Sequence, residues 1–294
     1  MSHARNGLLI VHKPPGMTSR RVVDVVARLV KPAKVGHAGT LDPLATGVLV
    51  ICMGQATRLI EYVQQMPKRY RGQFLLGRTS PTEDIEGEVT LLDHPPQPTR
   101  AEFEAAIPNF LGEISQRPPA FSALKVAGRR AYDLARAGQQ VDLAPRTVTI
   151  HQLTLTDYDY PRLSLEIECG SGTYVRSLGR DLARAVGSDA VMSALARTAI
   201  GDFRLENAVA PEQLTRDNIG QFLLPPRAAI VGLPSLLVDE QESRRLANGQ
   251  LLERPDCVHT GETAAIDAAG RLVALLQPRG DGWLKPTRTF PADG

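Results

Sequence analysis

The glycine-rich segment around Asp42 places the strongest constraint on how this chain can fold. Gly36, Gly39 and Gly47 surround that single carboxylate, and glycine is favoured where a backbone turns sharply or approaches a ligand closely. Residues 48–51 follow as an apolar, mostly β-branched run, which is typical of an interior strand. The segment therefore predicts a turn that leads into a buried strand and presents Asp42 beside it.

Asp42 also fits a purely structural role, because Asp followed by Pro is a common start of a helix. The strand-like residues after Asp42-Pro43 favour a turn over a helix. A phosphate-binding P-loop is excluded, because no Gly-Lys-[Ser/Thr] sequence follows the glycines at the required spacing. The segment suits a carboxylate that faces a ligand.

Helices and strands mix along the chain without the regular alternation of a parallel α/β fold, so the predicted fold class is α+β. A helix capped by Thr18 or Ser19 is predicted from the spacing of four apolar residues, Val22, Val25, Val26 and Leu29. Further helices are predicted at residues 55–66, from Thr99 and after Tyr174. Strands are predicted at residues 7–11, 48–51, 70–76, 148–155 and 163–169.

Composition changes near residues 225–234, where several prolines interrupt the chain. A short helix ending at Asn248-Gly249 and strand-like runs at 264–266, 272–276 and 283–284 follow. These features predict a large domain over residues 1–232 and a small β-rich domain over 233–294, which is within the size range of small independent domains. The basic, proline-containing residues 116–146 are predicted to leave the core of the large domain.

The sequence contains no apolar run of the roughly 18 to 20 residues that a membrane helix requires, and no signal-peptide-like stretch precedes Lys13. These features predict a cytoplasmic protein. Cys52, Cys169 and Cys257 are far apart and form no C-x-x-C pair. Their spacing predicts buried reduced thiols, with neither a disulfide framework nor a zinc site.

Positive charge is concentrated in the first quarter of the chain, although the net charge is only +2. Residues 1–72 contain eleven Lys or Arg against three acidic residues, and a second basic cluster lies between Arg117 and Arg136. Such asymmetry is compatible with a polyanion bound on one face. Solvated surface charge accounts for it equally well.

The segment at residues 36–49 closely resembles the catalytic motif of the bacterial TruB-type tRNA pseudouridine synthases. Five other segments resemble further landmarks of that family in the same order, at residues 13–19, 68–77, 82–87, 118–125 and 171–178. The segment at 118–125 resembles the family's loop that closes on RNA. His12 is a departure, since the family usually carries Asp before the Lys-Pro pair.

The resemblance implies a pseudouridine synthase core with a mixed, mainly antiparallel sheet, followed by a small RNA-binding domain of the PUA type. It implies isomerisation of the uridine at tRNA position 55, in the T arm, by a monomer without a protein partner. Pseudouridylation breaks the C1′–N1 bond of uridine and rejoins the base through C5. Because no electrons are exchanged, neither a redox cofactor nor a metal is expected.

The resemblance also assigns roles to seven residues. Asp42 is expected to be the nucleophile or base, and attack at C1′, attack at C6 and removal of the 2′ proton all remain open. Arg176 is expected to hold Asp42 ionised, and Tyr70 to stack on the flipped base and relay the proton from C5. The expected substrate-binding residues are His37, Tyr70, Tyr174, Leu195 and Lys13, where Lys13 would support the site or contact a phosphate. Asp84 is expected to be a turn residue.

Two other functions fit parts of the sequence. A tRNA-binding folding chaperone could use the same surface, with catalysis as a secondary activity. A glycoside hydrolase would need two carboxylates at a defined separation, whereas the catalytic-looking segments offer one.

Overall fold

A large mixed sheet forms the centre of the computed structural model, which describes residues 6–121, 125–126, 129–130, 143–254 and 261–290. The strands before residue 210 are β1 Gly7–Lys13, β2 Val35–His37, β3 Thr46–Met53, β4 Lys68–Leu76, β5 Arg78–Thr79, β6 Thr90–Leu91, β7 Gly112–Gln116, β8 Lys125–Val126, β9 Arg129–Arg130, β10 Arg146–Asp159, β11 Arg162–Cys169, β12 Ala190–Ile200 and β13 Phe203–Arg204. Nine of them form the main sheet in the order β1-β3-β12-β4-β11-β10-β7, with β2 beside β3 and β13 beside β12. β5 pairs with β6, and β8 with β9, as two short hairpins.

Almost every pairing in the main sheet is antiparallel. The exception is the junction of β3 and β12, which is parallel at Ala196↔Thr46 and Arg197↔Gly47. The predicted strand pair at 148–155 and 163–169 is the hairpin of β10 and β11. The sheet is therefore mixed and mainly antiparallel, and the α+β prediction is confirmed.

Five α-helices accompany the strands in the described ranges: α1 Ser19–Val30, α2 Ile60–Gln65, α3 Arg100–Ala106, α4 Val175–Ala185 and α5 Glu240–Ala247. The N-cap of α1 is Thr18, whose hydroxyl accepts a hydrogen bond from the Arg21 amide at 3.1 Å. Val22, Val23, Val26 and Val30 are buried. The predicted face was partly wrong, because Val25 and Leu29 are only half-buried and Val23 and Val30 take their places.

Of two further predicted helices, one is altered and the other is confirmed. Residues 55–66 are not one helix, because a 3₁₀ segment over Gly54–Leu59 precedes α2. Thr99 and Glu102 form the reciprocal capping box at the start of α3.

Helix α4 packs unusually close to the central strand β4. A Cβ built on Gly179 of α4 would lie 2.0 Å from Cε1 of Phe74 in β4, so only glycine permits this approach. Leu178 and Leu182 of the same helix are fully buried against the sheet. This contact fixes the first turn of α4, with Arg176, above the middle of the sheet.

A second sheet of five strands follows, in the order β14-β16-β17-β18-β15. Its strands are β14 Ser235–Val238, β15 Leu252–Glu253, β16 Thr263–Asp267, β17 Leu272–Gly280 and β18 Trp283–Thr289. Helix α5 ends at Asn248-Gly249 as predicted, with Gly249 at a φ of 76°. Leu272, Leu275 and Phe290 share a buried cluster with residues of β1 and β3. A domain boundary near residue 233 stays a prediction.

Several observed strands are absent from the predictions, among them the central strand β12, the edge strands β7 and β14, and the short strand β2. Cys52 and Cys169 are buried free thiols, as predicted, whereas Cys257 lies outside the described residues. Within the described ranges, no helix has the length and apolarity to cross a membrane.

Candidate active site

Asp42 lies in the turn between β2 and β3, at the edge of a cleft of about 560 Å³. Five of the seven predicted residues line this cleft: Asp42, Tyr70, Tyr174, Arg176 and Leu195. The Asp42 side chain retains 39% of its exposure, so one side of the carboxylate is open to a ligand. The turn is closed by a hydrogen bond from the Ala45 amide to the Asp42 carbonyl at 3.1 Å.

Arg176 holds the Asp42 carboxylate from inside the protein. Its Nε lies 3.1 Å from Oδ2 of Asp42, and its side chain is only 6% exposed. One terminal nitrogen donates to the carbonyl of Thr82 at 2.5 Å, and the other donates to the carbonyl of Phe121 at 3.1 Å. Because the guanidinium is bound on every side, it fixes the orientation of the Asp42 carboxylate.

Asp84 adds a second carboxylate behind Arg176. Its Oδ1 accepts hydrogen bonds from the Thr82 hydroxyl at 2.6 Å and the Glu86 amide at 3.1 Å, so the predicted turn role is confirmed. Its Oδ2 also lies 3.6 Å from a terminal nitrogen of Arg176. This buried contact was not predicted, and it makes Asp84 a positioning residue for Arg176.

Arg197 is a buried residue of the cleft lining that the sequence did not reveal. It is buried in β12, directly opposite Tyr70 in β4. Its guanidinium donates to the carbonyls of Val48 at 2.8 Å and Gly39 at 3.0 Å. Arg197 thereby ties the turn that carries Asp42 to the strand that carries Tyr70.

Tyr174 and Leu195 form walls of the cleft. The peptide of Tyr174 is clamped by the buried Gln116 side chain, which accepts from the amide at 2.8 Å and donates to the carbonyl at 3.1 Å. The guanidinium carbon of Arg146 lies 4.7 Å from the centroid of the Tyr174 ring. Gln116 and Arg146 are a cross-strand pair, so the chain leaves and rejoins the sheet beside Tyr174. Most of the predicted RNA-closing loop between them lies outside the described residues.

Comparison with known proteins assigns the chain to a family. The model described as "TruB family pseudouridylate synthase (N terminal domain)" matches residues 27–175, and the one described as "tRNA Pseudouridine synthase II, C terminal" matches residues 233–291. A protein of Bradyrhizobium diazoefficiens named tRNA pseudouridine synthase B is 42% identical over 98% of this chain and 87% of its own length. A protein of the same name from Dehalococcoides mccartyi is 38% identical over 97% of this chain and 96% of its own length.

The chain belongs to the TruB family of pseudouridylate synthases.

Solved structures agree on the fold. A chain in a structure titled as an H/ACA RNP bound to a substrate RNA containing 2′-deoxyuridine has a TM-score of 0.76 and 21% identity, covering 99% of this chain and 87% of that one. A chain of an archaeal box H/ACA sRNP Nop10-Cbf5 complex has a TM-score of 0.75 and 22% identity, covering 99% and 88%. At these identities the likeness supports the TruB fold alone.

Lys13 and His37 lie outside the cleft lining, unlike the other residues expected from the TruB motifs. Lys13 is fully buried, and its ammonium donates to the carbonyls of Pro14 at 2.9 Å, Met17 at 2.6 Å and Pro43 at 3.2 Å. All three donors are therefore used inside the protein. Of the two expected roles of Lys13, this geometry favours support of the Asp42 turn over a phosphate contact.

His37 is half-buried at the end of β2. Its Nδ1 is buried without a hydrogen-bond partner in the described part of the chain. Burial and the nearby Arg197 lower the pKa of the His37 imidazole, which favours its neutral form. The expectation that His37 contacts RNA stays a prediction.

Tyr70 is expected to keep its proton throughout the physiological range. Removal of its hydroxyl from water raises the pKa above the usual 10, although Arg197 acts in the opposite direction. A phenol whose pKa lies above 10 stays almost entirely protonated between about pH 6 and pH 9. We therefore expect Tyr70→Phe to lower the rate of the TruB reaction by the same factor at every pH in that range. The pH–rate profiles of both proteins test this, and an alkaline change of slope present only in the Tyr70 protein would contradict it.

Proposed function

We propose that this protein is a tRNA pseudouridine synthase that isomerises the T-arm uridine, with Asp42 acting on a uridine flipped into the cleft. The observation that carries this proposal is the contact of the half-exposed Asp42 carboxylate with the buried Arg176 guanidinium. A carboxylate attacks carbon or removes a proton only when ionised and correctly oriented. Arg176 supplies both conditions, because it stays charged and is itself immobilised.

The cleft also suits a base that has left an RNA stack. Its volume of about 560 Å³ lies within the roughly 300–1,000 Å³ typical of small-molecule sites. Flipping a base costs a few kcal/mol, and stacking on one aromatic ring offsets about 1–3 kcal/mol. Tyr70 offers such a ring in the lining, and Leu195 and Tyr174 enclose the space beside it.

The charge of the cleft favours a polyanionic substrate. Among the described residues that line it, four are cationic and one is acidic: Lys68, Arg146, Arg176 and Arg197 against Asp42. Arg176 is paired with Asp42, which leaves an excess of positive charge around the site. Such an excess attracts a nucleic-acid backbone. The relatives named tRNA pseudouridine synthase B support tRNA as that nucleic acid, and the family's T-arm specificity supports the position.

The proposal is tested by incubating the protein with an unmodified tRNA transcript and mapping pseudouridine chemically along the whole RNA. We expect one modified position, the T-arm uridine. A product at another uridine would overturn the proposed substrate site and preserve the reaction. Failure to form pseudouridine in any tRNA would overturn the reaction itself.

A further inference from the structure

Lys68 is a buried cation that lines the same cleft. The proposed reaction has no role for it beyond its contribution to the positive charge of the cleft. It is the first residue of β4 and lies two positions before Tyr70. Alternate residues of a strand share one face, so Lys68 and Tyr70 both line the cleft. Only 6% of Lys68 is exposed, which is rare for a lysine.

Protein groups satisfy Lys68 only in part. Its ammonium donates to the carbonyl of Gln64 at the end of α2, and an ammonium has three donors. Among the described residues, no carboxylate lies within ion-pair distance of Lys68. Cys169 is its cross-strand neighbour on β11, and the buried Arg197 is close enough to repel its positive charge. Burial and repulsion by Arg197 lower the pKa of Lys68 to about 8.

Burying two cations that repel each other costs folding stability when no carboxylate of the described residues pairs with either of them. The hydrogen bonds that Arg197 donates to the carbonyls of Val48 and Gly39 offset part of the cost of burying its charge. Lys68 makes one such contact, to the carbonyl of Gln64, and it also lines the cleft. A site of this kind fits an anion that is absent from the free protein and forms during the reaction.

The proposed reaction generates such an anion by every route that remains open. If Asp42 attacks C1′, or removes the 2′ proton, the C1′–N1 bond breaks and its electron pair stays on uracil, shared by N1, O2 and O4. If Asp42 adds to C6, the electron pair of the C5–C6 bond moves towards C5 and O4. In each case the C1′–N1 bond is broken, C5 bonds to C1′ and loses its proton, and N1 gains a proton. The bond that Asp42 formed to C1′ or C6 breaks again, or the 2′ proton is returned, so that Asp42 is regenerated and the product is an isomer of the substrate.

We propose that Lys68 is a further catalytic residue, whose ammonium donates a hydrogen bond to a uracil oxygen. This hydrogen bond stabilises the negative charge that the base carries after it leaves C1′, or after Asp42 adds to C6. Arg197 reinforces the positive potential from behind Tyr70. The inference rests on the proposed function, because it requires a uracil in the cleft. It does not depend on which atom Asp42 attacks.

The test is Lys68→Met, which keeps an unbranched side chain only one atom shorter and removes its charge. We expect the single-turnover rate of pseudouridine formation to fall about 100-fold or more, as for loss of one preorganised donor to an anion. We expect Tm to rise or stay unchanged, because the substitution removes a desolvated charge that is repelled by Arg197. Lys68→Arg should retain a larger part of the rate than Lys68→Met.

Arg69→Met is the matched control, since Arg69 is the next residue, points to the other face and pairs with Glu168 at 2.8 Å. It should leave the single-turnover rate within about threefold of the starting protein. The starting protein should also lose activity as pH rises through about 8, because Lys68 must be protonated to donate. That alkaline limb should be absent in Lys68→Met, in contrast to Tyr70→Phe.

Three results would overturn the role of Lys68. They are an unchanged single-turnover rate, a loss confined to tRNA affinity, and a fall of Tm together with the rate, which would show a structural role. The proposed function fails separately, by the absence of pseudouridine with the unsubstituted protein. The two failures are therefore distinguishable.

Discussion

Asp42→Asn is expected to lower the rate of pseudouridine formation by at least about 10⁴-fold, because loss of a nucleophile commonly removes most of the catalysis. The amide is nearly the same size as the carboxylate but cannot attack carbon or accept a proton at neutral pH. The affinity for tRNA should change by less than about threefold, since the contacts to the RNA backbone remain. The rate is measured under single-turnover conditions, and the affinity by equilibrium filter binding.

Asp24→Asn provides a control with the same chemical change at an aspartate of similar exposure. Asp24 is 37% exposed and pairs with Arg20 at 2.9 Å, whereas Asp42 is 39% exposed and pairs with Arg176 at 3.1 Å. The Asp24 variant should keep full activity. An Asp42→Asn protein that still forms pseudouridine at a comparable rate would remove the catalytic assignment. A variant that loses tRNA binding in parallel with activity would favour a binding role, as in a chaperone.

Gly47→Ala is expected to lower the free energy of unfolding by about 3–5 kcal/mol, from backbone strain and steric overlap together. Gly47 has a φ of 103°, and an added Cβ would lie 2.2 Å from the carbonyl oxygen of Arg197. That contact is part of the parallel junction between β3 and β12. Because Arg197 also binds the Asp42 turn, catalytic activity should fall with stability. Urea-induced unfolding measures the change.

Gly16→Ala separates the strain from the overlap. Gly16 also has a positive φ, of 73°, but no atom lies within 4 Å of its added Cβ. This variant should cost only about 1–2 kcal/mol. Equal losses for the two variants would contradict the close approach of β3 and β12 at Gly47.

Local sequence patterns predicted the elements whose signals are contained in a few residues. Thr18 and Thr99 cap helices as their side chains indicate. The β-branched residues after Gly47 form a buried strand. The residues Asp42, Tyr70 and Arg176 come from separate motifs, and the structure brings them into one cleft.

The features that were missed depend on contacts between distant parts of the chain. Strand β12 is rich in alanine and alternates weakly, and it forms a strand because β3 and β4 pair with it on both sides. Arg197 could not be recognised without that strand, since its partners lie roughly 150 residues away in sequence. The contact of Asp84 with Arg176 joins two loops in the same way. Lys13 satisfies its donors through a loop fold that its own motif does not encode.

Tritium release from tRNA carrying uridine labelled at C5 tests the central claim most directly, because the reaction replaces the C5 hydrogen with the glycosidic bond. We expect the protein to release one tritium per tRNA, and we expect replacement of the T-arm uridine by cytidine to abolish release. Asp42→Asn should release none. Release that persists in the cytidine-containing tRNA, or that does not require Asp42, would contradict the proposed reaction.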